Sequence, residues 1–295
     1  MNTEKVFALG FFDGVHLGHQ ALLTQCRRLA EEKGCQAAAV TFDVTPASVF
    51  SGQKPNMINT AADRLYLLEQ YGMESVALYK ADRQTLSMPW RAFLEELLEK
   101  SGAGFVCGED FRFGKGGEGT AAVLQAFCRE KNLPCVVVAE QKMDGERISS
   151  TRIRRLLEAG QVEQANRLLG HPHILSGKVV KGKQLGRTIG FPTANILLPP
   201  ELLVPKAGVY ACTATADGRV YPAVVNVGVC PTVGEEAVKA EAFLLDFNGD
   251  LYGRTVCISF HHFLRPEKKF SSLEELQAEI AKNALQTRIF FEKSE

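Results

Sequence analysis

Leu9-Gly-Phe-Phe-Asp-Gly-Val-His-Leu-Gly-His-Gln20 follows a short apolar run at 6–9 and leads into a helical pattern, with Leu22, Leu23, Cys26, Leu29 and Ala30 on one face. The run predicts a first strand. Residues 10–18 then form a glycine-rich strand-to-helix turn at the front of an α/β unit. Such a turn aims backbone N–H groups and the positive end of a helix dipole at an anion, most often a phosphate. His16 and His19 are three apart, so at a helix start they share a face. Two imidazoles there can donate hydrogen bonds to a phosphate whose charge grows during reaction. A tight turn with two solvated histidines is the simpler alternative. Against it, two of the chain's six histidines gather here with Gly10, Asp13, Gly14 and Gly18.

A length of 295 residues suggests about two domains. With 45% hydrophobic and 23% charged residues, the composition is that of a globular protein whose core needs no staples. No apolar run approaches the ~20 residues of a membrane helix. The opening Met-Asn-Thr-Glu-Lys lacks signal-peptide character. A cytoplasmic protein without a membrane partner is expected. The formal charge is zero, with one net negative charge over 1–170 and one net positive over 171–295. Nucleic-acid-binding domains carry a basic excess, so no nucleic-acid partner is expected. The eight cysteines are scattered without a Cys-x-x-Cys, and Cys35, Cys107, Cys135, Cys212 and Cys257 lie in apolar stretches. They read as buried reduced thiols rather than a zinc site or a disulfide framework.

β-rich runs recur at 5–9, 36–42, 75–79, 104–107 and 134–138, with helical patterns at 20–33, 62–71, 90–100 and 120–131 between them. The alternation predicts a parallel sheet covered on both faces, with ligands at the carboxyl ends of the strands. The opening motif lies at one such end, and Asp43-Val-Thr-Pro46 and Gly108-Glu-Asp-Phe-Arg-Phe-Gly114 lie at two others. Gly114-Lys-Gly-Gly-Glu-Gly119 fits the dinucleotide Gly-x-Gly-x-x-Gly template, but not in the first βα turn where that fingerprint belongs. It reads as a flexible loop closing over a substrate. In Ile148-Ser-Ser-Thr-Arg-Ile-Arg-Arg155, the hydroxyls of Ser149, Ser150 or Thr151 can cap the following helix. Arginines in a first turn are locally unfavourable, so Arg154 and Arg155 suggest a bound anion. Trp90 at a helix start reads as packing.

Gly170-His-Pro172 carries helix-stop signals, placing the domain boundary there: 1–170 and 171–295. His171 and His173 are given no role. Beyond the boundary, short β-rich runs at 175–180, 208–215, 221–227, 240–246 and 255–263 are punctuated by turns such as Asp217-Gly218 and Asn248-Gly249. They predict a compact, mainly antiparallel β-barrel closed by a C-terminal helix that Ser271 or Ser272 caps. Residues 177–184 nearly match a P-loop, but Gln184 replaces the magnesium-binding hydroxyl and no helix follows, so a P-loop is rejected. Thr193 and Asn195 are hard oxygen ligands two apart, on one side of an extended segment, and suit a magnesium ion bound to ATP. His261 and His262, adjacent on a strand, should point to opposite faces.

The His-x-Gly-His pattern resembles the nucleotidylyltransferase superfamily. With Gly-x-Asp-Phe-Arg-Phe-Gly and Ile-Ser-Ser-Thr-x-x-Arg in this order, the first half looks like the FAD synthetase (FMN adenylyltransferase) module of bacterial bifunctional riboflavin kinase/FAD synthetases. Gly190-Phe-Pro-Thr-Ala-Asn195, Asn226-Val-Gly-Val-Cys-Pro-Thr232, Glu241-Ala-Phe-Leu-Leu-Asp-Phe247 and Phe263-Leu-Arg-Pro-Glu-Lys-Lys-Phe270 continue the resemblance to the riboflavin kinase module. It implies an α/β nucleotidylyltransferase-type parallel sheet over 1–170 and a riboflavin kinase barrel over 171–295, both using ATP and Mg2+. At the N-terminal site it implies ATP contacts from Gly10, Phe11, Phe12, Asp13, Gly14, His16, His19, Ser149, Ser150, Thr151 and Arg154, and flavin contacts from Asp110, Phe111, Arg112 and Phe113. His16, His19 and Arg154 would act in catalysis. At the C-terminal site it implies Glu241 as catalytic base, ATP contacts from Gly182, Lys183, Gly190, Pro192 and Asn226, flavin contact from Arg265 and metal contact from Thr193 and Asn195. The partners would be riboflavin, FMN and ATP, and the protein a monomer or weak oligomer. The family's usual histidine before Pro46 is Thr45 here, an arginine and Gly-Asp are replaced at Gly117 and Gly119-Thr120, and a histidine is Phe243. Slow adenylylation or an altered acceptor is therefore expected. A kinase with a weakened or re-purposed first domain is the alternative, opposed by intact His16, His19 and Arg154. A flavin-sensing regulator acting on RNA is opposed by the neutral charge.

Overall fold

The computed structural model describes residues 3–293 other than 53, 183–185, 187, 188, 233 and 234. By packing, the chain divides into two compact units, Met1–Ser150 and Thr151–Glu295.

The first unit alternates strands and helices: β1 (Lys5–Leu9), α1 (Leu17–Lys33), β2 (Gln36–Phe42), α2 (Pro46–Ser51), α3 (Ala61–Gln70), β3 (Ser75–Tyr79), α4 (Arg83–Leu86), α5 (Trp90–Glu99), β4 (Gly102–Gly108), β5 (Arg112–Phe113), β6 (Gly119–Thr120), α6 (Ala121–Glu130), β7 (Cys135–Val138), β8 (Lys142–Met143) and β9 (Glu146–Arg147). Five strands form a parallel sheet in the order β3-β2-β1-β4-β7. Val6 to Leu9 and Phe105 to Cys107 are buried without alternation, as a sheet covered on both faces requires. The direction of winding reverses between β2 and β4, on either side of β1. The glycine-rich turn therefore leaves the central strand at the switch point, where such sheets bind ligands.

Residues 114–119 are a built hairpin rather than an open loop. Arg112 pairs with Thr120 and Phe113 with Gly119, around a 3-10 turn at Lys115–Gly117. Gly114 lies against the Trp90 backbone, where a Cβ would come within 2.6 Å of the Trp90 Cα. The Lys115 N–H also donates to the Met88 carbonyl at 2.8 Å. The glycines serve this close contact and a turn, not a dinucleotide.

The second unit comprises α7 (Ser150–Glu158, its first residue at the division), α8 (Val162–Leu169), β10 (His173–Val180), β11 (Ala194–Leu197), β12 (Gly208–Ala216), β13 (Arg219–Thr232), β14 (Glu235–Leu244), β15 (Thr255–Arg265) and α9 (Leu273–Glu292). Six strands close a barrel, β10-β11-β14-β13-β12-β15, with antiparallel neighbours. Asp217 and Gly218 both have positive φ (50° and 73°), the two-residue hairpin turn their sequence predicts. Ser272 caps α9, accepting from the Glu275 N–H. Gly170 does end a helix, yet α8 packs on the barrel. Asn166 donates to the Phe260 carbonyl at 2.8 Å and accepts from the His173 N–H at 2.8 Å. The packing division therefore falls before α7, not at the Gly170 stop signal.

His261 and His262 do not point to opposite faces. Ala211 pairs with His262 and Cys212 with Phe260, which leaves His261 as the extra residue of a bulge. The broken alternation brings both rings to the end of α9: His262 stacks on Phe290 (5.3 Å, 14°) and His261 meets Phe291 edge-on (5.1 Å, 82°). The described cysteines are free; Cys26, Cys107, Cys128 and Cys212 are buried, while Cys35, Cys135 and Cys257 are only half-buried.

His173 is fully buried against the Phe260 ring, and neither ring nitrogen has a hydrogen-bond partner. Burial holds its pKa down to about 3. The unfolded chain therefore takes up a proton below pH 6.5 that the folded barrel refuses. Stability is full above that pH and falls as the pH drops toward 3, by about 2 kcal/mol at pH 5. Hydrogen exchange of the barrel strands should quicken between pH 7 and pH 5 once intrinsic rates are removed, and His173→Phe should abolish the difference. A variant with the same acid sensitivity would acquit this histidine.

Candidate active sites

In the first unit, β1 delivers the turn and α1 receives it. Phe12 and Val15 adopt positive φ (57° and 39°), a strain of roughly 1–3 kcal/mol each that the surrounding contacts must hold. The Val15 N–H donates to the Phe12 carbonyl at 3.0 Å, and Gln20 Nε2 donates to the Val15 carbonyl at 2.9 Å. Asp13 is buried and accepts from the Ile58 N–H (2.9 Å) and the Asn59 N–H (3.3 Å). Ser150 Oγ donates to the Asp13 carbonyl at 3.0 Å, joining the Ser-Ser-Thr stretch to the turn.

His16 is the N-cap of α1, and its Nδ1 accepts from the His19 N–H at 3.3 Å. An accepting Nδ1 carries no proton, so in the neutral ring the proton sits on Nε2. The rings of His16 and His19 stack at 3.7 Å and 13°. Burial, then the neighbouring His16 and Arg64, hold the His19 pKa well below the ordinary histidine value. Burial thus favours the neutral form of His19, and the two stacked rings lie over the start of a helix.

Beside them opens a cavity of about 430 Å³ lined by Phe11, Phe42, Phe50, Phe93, Phe111, Arg112 and Phe113, with the glycines of the hairpin at its rim. Phe111 and Phe113 stack at 5.5 Å and 14°. Its flat apolar walls suit a fused aromatic ring system. Asp110 is not among the lining residues but ion-pairs with Arg147. Thr45 is the N-cap of α2, beside lining residues Pro46 and Ala47, and Gly117 lines the cavity directly. Thr120 caps α6 through the Val123 N–H at 3.3 Å, a structural duty. Thr151 and Arg154 lie on α7 in the second unit.

In the barrel, Asn195, Glu241 and Asn226 are register partners on β11, β14 and β13. Directly opposed residues share a face. A cavity of about 450 Å³ is lined by Pro192, Thr193, Asn195 and residues 247–252. A second, of about 220 Å³, is lined by Thr193, Asn226, Glu241, Phe243, Arg265 and residues of α9. Thr193 belongs to both. Asn195 Nδ2 donates to the Thr193 carbonyl at 3.4 Å. Gly182 lies so close that a Cβ would come within 2.7 Å of the Asn195 amide. Two hard oxygen donors, of Thr193 and Asn195, line one cavity and fit a magnesium ion shared with nucleotide phosphates. Among the described residues, no group of three His, Cys, Asp or Glu could make an all-protein cage. Glu241 ion-pairs with Lys239. Arg265 pairs with Glu279 (3.1 Å) and Asn283 (3.3 Å) from α9. Gly190, with φ 83°, sits in the turn before Pro192, while Lys183 lies outside the described residues. Arg64 carried no sequence signal of its own, because the fold alone buries it against Phe11 beside the first cavity.

The family models for FAD synthetase and riboflavin kinase match residues 1–152 and 169–291. A bifunctional riboflavin kinase/FMN adenylyltransferase of Listeria monocytogenes is 37% identical, covering 100% of this chain and 95% of its own length. A protein of the same description from Escherichia coli is 37% identical over 97% of this chain and 92% of its own. Among solved structures, a protein named macrolide-efflux protein from Streptococcus pneumoniae shares the fold with a TM-score of 0.85 at 30% identity, over 98% of this chain and 95% of that one. No helix among the described residues is long and apolar enough to cross a membrane.

Proposed function

This chain belongs to the bifunctional riboflavin kinase/FMN adenylyltransferase family, and from that premise we propose that it makes FMN from riboflavin in its barrel and FAD from FMN in its parallel-sheet unit, spending one ATP at each step. The observation that carries the kinase reading is the row Asn195–Glu241–Asn226, in which Asn195 lines one cavity while Glu241 and Asn226 line the other, with Thr193 common to both. Riboflavin occupies the cavity bounded by Phe243, Arg265 and α9, and ATP the one bounded by Pro192, Thr193 and Asn195. Glu241 takes the proton of the terminal ribityl hydroxyl as that oxygen attacks the γ-phosphorus, and ADP leaves. Thr193 and Asn195 hold magnesium, which when bound neutralises phosphate charge. Gly182, Lys183, Gly190 and Asn226 line the nucleotide's path.

At the other site a phosphate oxygen of FMN attacks the α-phosphorus of ATP and pyrophosphate leaves. No protein nucleophile is needed. His16 donates from Nε2, and His19 stands beside it as a second donor. Gly10, Phe11, Phe12, Asp13 and Gly14 form the floor of the nucleotide site, with Ser149, Ser150, Thr151 and Arg154 added by the resemblance. Phe111, Arg112 and Phe113 flank the flavin, and Asp110 acts through Arg147. The small molecules riboflavin, FMN and ATP are the partners. Balanced charge and free thiols support a cytoplasmic monomer or weak oligomer without nucleic-acid or membrane partners.

Two tubes test this reading: riboflavin with Mg-ATP, and FMN with Mg-ATP. FAD is expected in both, more slowly in the second step because Thr45 and Gly117 replace larger polar groups at the flavin cavity. FMN alone in the first tube and nothing in the second would leave a kinase only. Gly182→Ala is expected to raise the KM for ATP of the kinase about tenfold, since overpacking typically costs 1–3 kcal/mol. FMN adenylylation by the same variant should be unchanged; an unaltered KM would remove the loop from the nucleotide site.

A further inference from the structure

Arg64, on α3, has the largest fully buried side chain of the described residues, at 0% exposure. Its Nη2 donates to the carbonyls of Phe42 and Asp43 (the latter at 3.1 Å), where β2 ends. Its Nε and Nη1 are buried with no hydrogen-bond partner. Its Cζ lies 4.3 Å from the centroid of Phe11, whose ring lines the 430 Å³ cavity. An isolated cation is among the costliest groups to bury. The opposing charges are those of Asp13 in the turn and Asp43 at the end of β2. Both carboxylates are already engaged with backbone N–H groups, of Ile58, Val44 and Ala81 among others.

We propose that Arg64 is a positioning residue of the adenylyl-transfer site: a buried cation that fixes Phe11 from below and sets the electrostatic field over the glycine-rich turn, where His19 and the reacting phosphate lie. The inference rests on the adenylyltransferase reading of that turn. Charge placed in a dry interior acts over longer range than in water, so the guanidinium need not touch the substrate to favour negative charge above it. Its reach is already visible at His19. The groups facing that ring are His16 stacked on it from the helix cap, Phe12 edge-on from the turn and Arg64 from α3. Burial contributes most to the lowered proton affinity of His19, and the neighbouring His16 ring and the guanidinium of Arg64 add to it. Arg64 thereby reinforces what burial does most to impose, an imidazole that is neutral and able to present one N–H and one lone pair.

The test uses full-length protein with Arg64→Met, which removes the charge at similar length, and Arg64→Lys, which keeps the charge without the fork. Kinase activity in the barrel reports overall integrity. His19 is followed by its imidazole NMR signals, assigned through loss in His19→Gln. In Arg64→Met the His19 pKa is expected to rise, and turnover of FMN to FAD to fall about tenfold or more with little change in either KM. Arg64→Lys should restore most of both, and if the methionine variant does not fold, this variant decides. A lysine variant with wild-type His19 titration but turnover as low as with methionine would overturn the proposal, because the fork and not the charge would then be what matters. An unchanged titration and turnover in Arg64→Met would overturn it too. If the wild type itself made no FAD, the adenylyltransferase reading would fail separately, and the His19 titration would still decide whether Arg64 sets the field.

Discussion

Glu241→Gln is expected to lower riboflavin phosphorylation by about 10²–10⁴-fold, the range a positioned general base supplies. The substitution keeps the shape of the side chain but cannot accept a proton. Its neighbours Asn195 and Asn226 would still stand in register on either side, so both cavities keep their walls. Lys239, now paired with the carboxylate and two residues away on the same strand, would keep the neutral amide as a neighbour. Binding of riboflavin and Mg-ATP should therefore survive while turnover is lost. FMN supplied directly should still be converted to FAD at the wild-type rate, which separates a lost base from a damaged protein. Kinase turnover near wild type would show that Glu241 is only a strand carboxylate.

The second large effect is expected at His16, where structure and chemistry can be taken apart. Nδ1 caps α1 by accepting from the His19 N–H, whereas Nε2–H is the catalytic donor. Asparagine is among the best N-caps, and its carbonyl oxygen can replace Nδ1, but it offers no N–H at the Nε2 position. His16→Asn should therefore keep the stability of the first unit and lose about 10²–10³-fold in FAD formation from FMN, the loss typical of one removed transition-state donor. His16→Ala should lose the same activity and, in addition, about 1 kcal/mol of stability with the cap. Riboflavin phosphorylation should be intact in both. If asparagine preserved FAD formation, capping would be the only task of His16.

The strands and helices of the first unit were legible because each run was long, apolar and bounded by turn residues; β1, β2 and β3 fall where the pattern places them. The barrel was legible as a class, and the Asp217-Gly218 turn as a specific geometry. What the sequence concealed was contact between distant segments. The hairpin at 114–119 looks like a mobile glycine loop until Trp90 is found pressed against Gly114. β11 was missed as a strand because only four residues pair, between a glycine loop and Pro199. The bulge at His261 reversed an argument from simple alternation, since one extra residue resets which side each ring faces. α7 and α8 follow the stop-signal logic locally but obey packing globally, and Asn166 holds α8 to β10 and β15. The histidine pair and the Thr193–Asn195 segment could be read because their chemistry is local; Arg64 could not, because its meaning depends on burial.

Trp90 is the single tryptophan of the chain and lies in the first unit, edge-on to Phe127 and beneath the Gly114 hairpin. The second unit has only the phenols of Tyr210, Tyr221 and Tyr252. Red-edge excitation therefore makes the protein a one-channel optical probe of its own N-terminal half. Its emission maximum will follow melting of that half and be blind to melting of the barrel, while the circular dichroism of the backbone sums both. The difference between the two signals separates the two transitions in the intact chain, without a label and without cutting it.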